Sequence, residues 1–237
     1  MWCGRGRASA WNYASGYLSG YLSGYVSGYL LGYVSCLHSP GGGRDACPAM
    51  TTSAAPARTS QAPLLAGVLL LGAAVALSLG VYAKVHQPAG RPLFTLGFSG
   101  MLQMKVWVST LAVVFVLGQL VTALWMWGRL PGAGSAPPWV TPVHRWSGTV
   151  GFVLTLPVAF HCIWALGFGT TDARVLAHGV AGCLFYGAYA AKMLGLRVRG
   201  MPGWLLPVLG GSVFAALIVA WLTSALWFFT RSGVPLT

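Results

Sequence analysis

The stretch that decides the fold runs from Val143 to Arg197 and reads VHRWSGTVGFVLTLPVAFHCIWALGFGTTDARVLAHGVAGCLFYGAYAAKMLGLR. Two apolar runs in it flank a short polar turn, Gly169-Thr170-Thr171-Asp172. Each run is long enough to cross a lipid bilayer, which takes about 20 residues of helix. Because backbone groups in lipid must satisfy one another's hydrogen bonds, both runs are predicted to be helices that form a membrane hairpin.

One histidine lies deep in each arm of this hairpin, His161 before the turn and His178 after it. At a rise of about 1.5 Å per residue, both lie roughly 12–14 Å of helix from the turn, so they share a depth. An imidazole in hydrocarbon is costly and marks a functional site by default. Two at one depth predict the axial ligands of a b-type haem iron. The alternative is that each histidine simply hydrogen-bonds a neighbouring helix.

The neighbours of the two histidines fit this interpretation. Gly182 and Phe185 lie on the same helical face as His178, and a glycine one turn from a ligand leaves room for a flat macrocycle. Helices joined by a tight turn pack about 8–10 Å apart, which is too close for a haem with two histidine ligands. Either a kink at Pro157 splays the arms, or one ligand comes from another helix, with His86 as the reserve.

Composition places the chain among integral membrane proteins. Of 237 residues, 56% are hydrophobic and 7% are charged, and lysine and arginine outnumber the acids by 14 to 2. The basic residues lie mostly at helix ends, so they indicate membrane orientation and contact with lipid headgroups, and no nucleic acid is expected as a partner. The two acids, Asp45 and Asp172, lie outside the predicted spans, which argues against carboxylate-pair catalysis.

The chain divides into three segments. Residues 1–49 contain a four-residue repeat, with a glycine–tyrosine pair ending at positions 17, 21, 25, 29 and 33. This low-complexity segment is predicted to be disordered, or else to result from a wrongly assigned start, with Met50 as the natural beginning. Residues 50–62 form a polar N-terminal tail. Residues 63–237 are predicted to form an all-α integral membrane domain, a five-transmembrane-helix bundle with spans at about 64–84, 106–127, 143–168, 173–196 and 204–229.

Five spans put the two ends of the domain on opposite sides of the membrane. Nine basic residues lie on the N-terminal side and five on the other, namely Arg5, Arg7, Arg44, Arg58, Arg129, Arg145, Lys192, Arg197 and Arg199 against Lys84, Arg91, Lys105, Arg174 and Arg231. Without residues 1–49 the counts are six and five. This bias predicts a multi-pass protein of the cell membrane with a cytoplasmic N-terminus, so that the hairpin turn faces outward.

A further histidine, His144, lies at the inner boundary in the motif His144-Arg145-Trp146-Ser147-Gly148. One interpretation is an interfacial anchor, with Arg145 on a lipid phosphate and Trp146 at the headgroups. The other is a second haem site, with His144 as a ligand and Arg145 on a propionate.

Three motifs carry a resemblance to known proteins, the His144–Gly148 motif, Phe160-His161-Cys162, and Gly182-Cys183-Leu184-Phe185-Tyr186-Gly187. Through them the chain resembles an uncharacterised family of bacterial multi-pass membrane proteins over most of residues 60–230. That family is in turn loosely similar to cytochrome b561-like and ferric-reductase-like haem proteins, which implies b haem and electron transfer. The chain departs from a two-haem pattern, because it offers three histidines toward the outside (His86, His161 and His178) and one toward the inside.

The sequence therefore predicts a membrane protein that binds one b haem near its outer face through His161 and His178. It would pass single electrons between a membrane quinone and an extracytoplasmic redox partner, as an oligomer or as a subunit of a membrane oxidoreductase. The alternative is a transporter or assembly subunit without haem, in which the histidines bind a metal such as copper. No motif points to a nucleophilic site.

Overall fold

The computed structural model describes residues 61–198 and 201–234. They form five long helices, α1 Ala62–Val85, α2 Met101–Met126, α3 Val140–His161, α4 Ala173–Gly195 and α5 Leu205–Trp221. Helix α3 continues into a π-helical turn, Cys162–Leu166. Helix α5 continues through a second π-helical turn, Leu222–Leu226, into the short helix α6, Trp227–Ser232. Within these two ranges there is no strand, and the predicted all-α class is confirmed. The predictions for residues 1–49, and for residues 50–60 of the polar tail, lie outside the described residues.

Four helices are long and apolar enough to cross a membrane, Ala62–Val85, Met101–Met126, Val140–Leu166 and Leu205–Ser232. They indicate a membrane protein, as the composition predicts. Helix α4 is 23 residues long but is not one of the four. It carries Arg174, His178 and Lys192 together with many glycines and alanines, which lowers its hydropathy. Four of the five predicted spans are thus supported by length and composition.

The helix ends near the hairpin turn have clear local causes. Asp172 caps α4, because its Oδ1 accepts a hydrogen bond of 2.9 Å from the backbone N–H of Val175. Gly167 ends the first π-helical turn with a φ of 68°. A Cβ at Gly167 would lie 3.0 Å from Cγ of Pro88 and 3.2 Å from the carbonyl oxygen of Ala83, so the chain crosses the end of α1 closely there.

The helices do not pack in chain order. Helix α4 packs on α1 and α5, α2 packs on α3, and α2 also contacts α5. The α1–α4 crossing is tight, since a Cβ at Gly187 would lie 2.5 Å from the carbonyl oxygen of Gly72. Small residues allow two helix backbones to approach in this way.

Aromatic side chains fill the space between the two arms of the hairpin. The ring of Phe152 on α3 lies parallel to that of Tyr189 on α4, with 3.9 Å between centroids. The Tyr186 hydroxyl donates to Oγ1 of Thr155 at 2.9 Å, since the Thr155 hydroxyl donates its own hydrogen to the carbonyl of Phe152. The arms therefore meet through side chains, while the main backbone neighbour of α3 is α2.

Candidate cofactor and thiol sites

His161 has one ring nitrogen that is fully buried and unpaired. Its Nδ1 lies 2.8 Å from the carbonyl oxygen of Pro157. Because a carbonyl can only accept, Nδ1 carries the hydrogen and Nε2 keeps its lone pair. The residue is 0% exposed, and Nε2 has no hydrogen-bond partner among the described residues. The ring of Phe94 approaches the imidazole edge-on, with 4.5 Å between centroids.

His86 ends α1 and presents a second nitrogen of this kind. Its ring is stacked between Tyr82 and Trp164, with centroid distances of 5.3 and 4.6 Å. Nε2 of His86 is buried and, within the described part of the chain, has no hydrogen-bond partner. Trp164 in turn stacks on Phe160 at 6.1 Å. His86 and His161 thus flank one aromatic surface, the rings of Phe94, Phe160 and Trp164, at the end of the bundle that carries the Gly169–Asp172 turn. We call this the turn end.

The backbone of the loop after α1 holds this arrangement in place. The N–H groups of Ala89 and Gly90 donate to the carbonyls of Trp164 and Ala165 at 3.0 and 3.1 Å. These carbonyls lie in the last turn of a helix, where the helix itself offers no donor. The loop therefore caps α3 and positions His86 beside Trp164.

His178 faces a different set of neighbours. Its Nδ1 donates to the carbonyl of Ala220 on α5 at 3.0 Å, which leaves the lone pair on Nε2. That Nε2 lies 3.8 Å from Sγ of Cys162. His161 and His178 both lie at the turn end, but one contacts the loop residue Phe94 and the other contacts Cys162 and α5. The prediction that they share one iron is not tested by these contacts and stays a prediction.

The two residues predicted to lie beside the cofactor differ in their surroundings. A Cβ at Gly182 would meet no atom within 4 Å, so there is open space beside His178 on this face. Phe185 is 3% exposed and packs with Val113, Val116, Val213 and Leu217 in the core between α2, α4 and α5. Phe185 thus occupies the position of a core residue.

His144 and Arg145 lie at the opposite end of the bundle. Thr122 donates its hydroxyl hydrogen to the carbonyl of Gly118 at 2.7 Å, so its Oγ1 accepts from Nδ1 of His144 at 2.8 Å. Gln119 donates to the carbonyl of His144 and to Oγ of Ser147. Arg145 is exposed. The structure thus separates His144 from the three histidines of the turn end, and it ties α2 to α3 there through hydrogen bonds.

The contact between Cys162 and His178 is the feature of this region that the sequence did not reveal. Inside an apolar run a cysteine is usually a small apolar residue. Cys162 is the first residue of the π-helical turn that follows α3, and its Sγ lies near Nε2 of His178. The available signal was its position beside His161, at the depth of His178.

The chain belongs to a protein family of unknown function. The model of the Family of unknown function (DUF6529) matches residues 65–236. This agrees with the predicted resemblance to an uncharacterised family. No curated protein and no solved structure matches the chain. Nothing in these comparisons links it to cytochrome b561-like or ferric-reductase-like proteins, so that part of the resemblance stays a prediction.

Proposed function

We propose that this protein is a five-span, b-type cytochrome-like protein that binds one haem at the turn end and transfers single electrons. The observation that carries the proposal is the presence of two buried imidazole Nε2 atoms, on His161 and His86, without a hydrogen-bond partner among the described residues. A buried polar atom normally has a partner. An imidazole that binds a metal must have one ring nitrogen that is free of other partners, and in an apolar site this nitrogen is buried.

The donor set and its surroundings fit a haem. Imidazoles that bind a metal through Nε2 usually donate Nδ1–H to a carbonyl or carboxylate, which fixes the tautomer and the direction of the ring. His161 makes this hydrogen bond to Pro157. The rings of Phe94, Phe160 and Trp164 lie against one another and against the two histidines. They line the site with apolar aromatic rings, the kind of surroundings in which a porphyrin packs.

The contacts favour His86 over His178 as the partner of His161. The sequence predicts His161 and His178 as the pair, with His86 in reserve. In the structure, Nε2 of His178 already faces the Cys162 thiol, whereas Nε2 of His86 has no partner among the described residues. We therefore propose that His161 and His86 are the two residues that would hold the haem iron.

The chain's own contribution would be to hold the ligands and to keep water away. A bound haem would supply one-electron chemistry at its iron. Pro157 holds the hydrogen of His161 Nδ1, the aromatic surface excludes water, and the loop residues Ala89 and Gly90 fix His86 against the end of α3. The proposed substrates are a membrane quinone and a redox partner outside the membrane.

The fifth span and the orientation belong to the same proposal. Helix α4 packs between α1 and α5, each of which is long and apolar enough to span a membrane, so it is proposed to cross with them. Its polar residues then need no contact with lipid tails, which reconciles its lower hydropathy with a transmembrane position. The charge bias places the N-terminus in the cytoplasm and the turn end outside.

The experiment is an optical spectrum of the full-length protein purified from haem-replete cells. We expect a Soret band that shifts on reduction. His161→Ala and His86→Ala should each abolish it, while His178→Ala and the control His144→Ala should retain it. Loss in His178→Ala with retention in His86→Ala would replace our ligand pair by the one predicted from the sequence. A colourless wild-type protein, or full haem retention in all four variants, would reject the proposal.

A second candidate is the copper-binding transporter or assembly subunit that the sequence left open. Cys162 and His178 place a thiol and an imidazole nitrogen 3.8 Å apart, and this combination suits soft cations such as Cu(I). It ranks second because, in the part of the chain that is described, no group of three or more His, Cys, Asp or Glu side chains could hold a metal ion. A colourless preparation with stoichiometric copper would favour it.

A further inference from the structure

Two arginines lie close to one tryptophan ring at the turn end. Cζ of Arg174, on α4, lies 4.0 Å from the centroid of the Trp227 ring, and Cζ of Arg231, on α6, lies 6.0 Å from it. Both distances are within the range in which an aromatic face attracts a guanidinium. The side chain of Arg174 is 33% exposed and Trp227 is 40% exposed, so these residues lie at the surface. We call the three residues the Arg–Trp cluster.

Most hydrogen-bond donors of the Arg–Trp cluster have no partner in the described part of the chain. A guanidinium has five N–H donors. Arg174 uses one of them, from Nη1 to the carbonyl of Thr223 at 2.7 Å. Its Nη2 lies 4.0 Å from Oδ2 of Asp172, which is too far for a hydrogen bond. Arg231 makes no hydrogen bond to a described residue. The remaining donors can therefore bind the oxygen atoms of a ligand.

The charge of this region is positive. Asp172 is the one acidic residue in the described ranges, and it lies near Arg174. The two arginines and this carboxylate together leave a net charge of +1. A ligand that carries one negative charge would balance it.

An apolar groove lies between α1, α4 and α5. Its volume is about 660 Å³, and ten of the sixteen residues that line it are glycine or alanine. Ser212 is the one polar residue among them, and its hydroxyl donates to the carbonyl of Val208 at 2.9 Å. The groove therefore offers apolar surface and no free polar side chain, which suits a hydrocarbon chain.

The groove begins one helical turn from the Arg–Trp cluster. On α4 it runs from Ala177, three residues after Arg174, to Ala191, and on α5 it ends at Val219, four residues before Thr223. Residues three or four apart lie on the same helical face, so the groove and the cluster are neighbours. At a rise of about 1.5 Å per residue the stretch of α4 is about 21 Å long. This exceeds half of a bilayer core of about 30 Å, so it can hold an acyl chain from one leaflet.

We infer that the Arg–Trp cluster and this groove together bind an anionic phospholipid. The phosphodiester accepts hydrogen bonds from Arg174 and Arg231, and one acyl chain lies in the groove along α4. Guanidinium groups form strong, charge-assisted hydrogen bonds with phosphate oxygens. A headgroup with one negative charge, such as that of phosphatidylglycerol, balances the net charge of the cluster, whereas a zwitterionic headgroup leaves it unbalanced.

A membrane lipid fits this site better than a soluble phosphate does, because the charged cluster and the apolar groove adjoin. A free phosphate would contact only the arginines and leave the groove uncovered. Trp227 lies near the end of Leu205–Ser232, which is long and apolar enough to span a membrane, and tryptophans at such ends lie at the level of the lipid headgroups. The inference requires that α4 and α5 cross the membrane, but it uses no residue of the candidate haem site.

The test is native mass spectrometry of the full-length protein in detergent with equal amounts of dioleoylphosphatidylglycerol and dioleoylphosphatidylcholine. We expect the wild-type protein to retain about ten times more of the anionic lipid. Arg231→Gln and Arg174→Gln should each reduce this preference severalfold. The control Arg91→Gln, which removes an exposed arginine outside the groove, should leave it unchanged. Ala215→Leu fills an exposed position of the groove and should lower the retention of phosphatidylglycerol although every charge is kept.

Thermal denaturation in the same detergent shows whether a variant keeps its fold. If Arg174→Gln lowers the denaturation midpoint, Arg231→Gln decides, since Arg231 makes no hydrogen bond to a described residue. Equal retention of both lipids by the wild-type protein, a preference that Arg231→Gln leaves unchanged, or an equal loss in Arg91→Gln would overturn the inference. Full retention in Ala215→Leu, or complete displacement of the lipid by an equal concentration of inorganic phosphate, would also overturn it. A protein without haem should bind the lipid in the same way, so the two proposals fail separately.

Discussion

At the scale of single residues, backbone carbonyls fix the chemistry of the turn end. Pro157 and Ala220 each hold one imidazole hydrogen, and both thereby direct an Nε2 lone pair into the protein. One of these lone pairs has no partner in the described part of the chain, and the other faces a thiol. Two histidines of the same tautomer thus face different surroundings.

Tyr186→Phe tests whether the hairpin arms depend on their side-chain hydrogen bond. We expect the variant to lose about 1 kcal/mol of unfolding free energy, the usual size of a hydrogen bond between membrane helices. Denaturation by dodecyl sulfate in bicelles measures it. The matched control is Tyr82→Phe, whose side chain is 46% exposed and packs on His86 with its ring. Equal losses in both variants would show that the Tyr186–Thr155 contact contributes nothing specific.

The sequence predicted the depth of these residues in the membrane but not the groups that they contact. The rise per residue of an α-helix places His161 and His178 at the same depth from the hairpin turn. The direction in which a ring points depends on the local backbone, including the π-helical turn that begins at Cys162, and such a turn leaves no periodic pattern in the sequence. The contact between Cys162 and His178, and the stacking of His86 on Trp164, therefore could not be predicted.

At the scale of elements, the helices are predictable because, in lipid, each helix must form all the hydrogen bonds of its own backbone. Predicted and observed helices differ mainly in where they begin and end. Helix α2 begins at Met101, directly after the extended residue Gly100, whereas its span was predicted from about residue 106. Lys105 lies in this extra turn.

Gly187→Ala tests the crossing of α1 and α4. A methyl group there would lie 2.5 Å from the carbonyl oxygen of Gly72 and 2.9 Å from Cβ of Ala76, so the helices must move apart. We expect a loss of about 1–3 kcal/mol of unfolding free energy. Gly210→Ala is the control, since no atom lies within 4 Å of its Cβ position, and it should change the free energy by about 0.5 kcal/mol or less. A neutral Gly187→Ala would mean that the crossing is looser than described.

At the scale of the whole molecule, the packing order gives the two arms of the hairpin different neighbours. Helix α3 contacts mainly α2, and α4 contacts mainly α1 and α5. The connection between α1 and α2 therefore comes to lie against the end of α3, and α5 comes to lie against His178. The family match over residues 65–236 covers all of these helices except the first residues of α1.

Cysteine labelling tests the proposed orientation in a variant whose native cysteines are all replaced by serine. Thr171→Cys lies in the hairpin turn and Ser135→Cys in the loop between α2 and α3, and both positions are exposed. With the N-terminus in the cytoplasm, a membrane-impermeant maleimide added to intact cells should label Thr171→Cys and spare Ser135→Cys until the cells are opened. The reverse pattern would invert the topology, and labelling of both in intact cells would contradict five spans.

The hydrogen bonds from Ala89 and Gly90 to the last carbonyls of α3 have a consequence for the way this family can vary. They join main chain to main chain, so they do not depend on the side chain of Ala89, whereas Gly90 donates from a φ of 66° that favours glycine. Apart from Gly90 and Phe94, whose ring contacts His161, the side chains of this loop can therefore vary in evolution while the histidine keeps its place. Relatives that differ widely along this loop should still share the position of that ring.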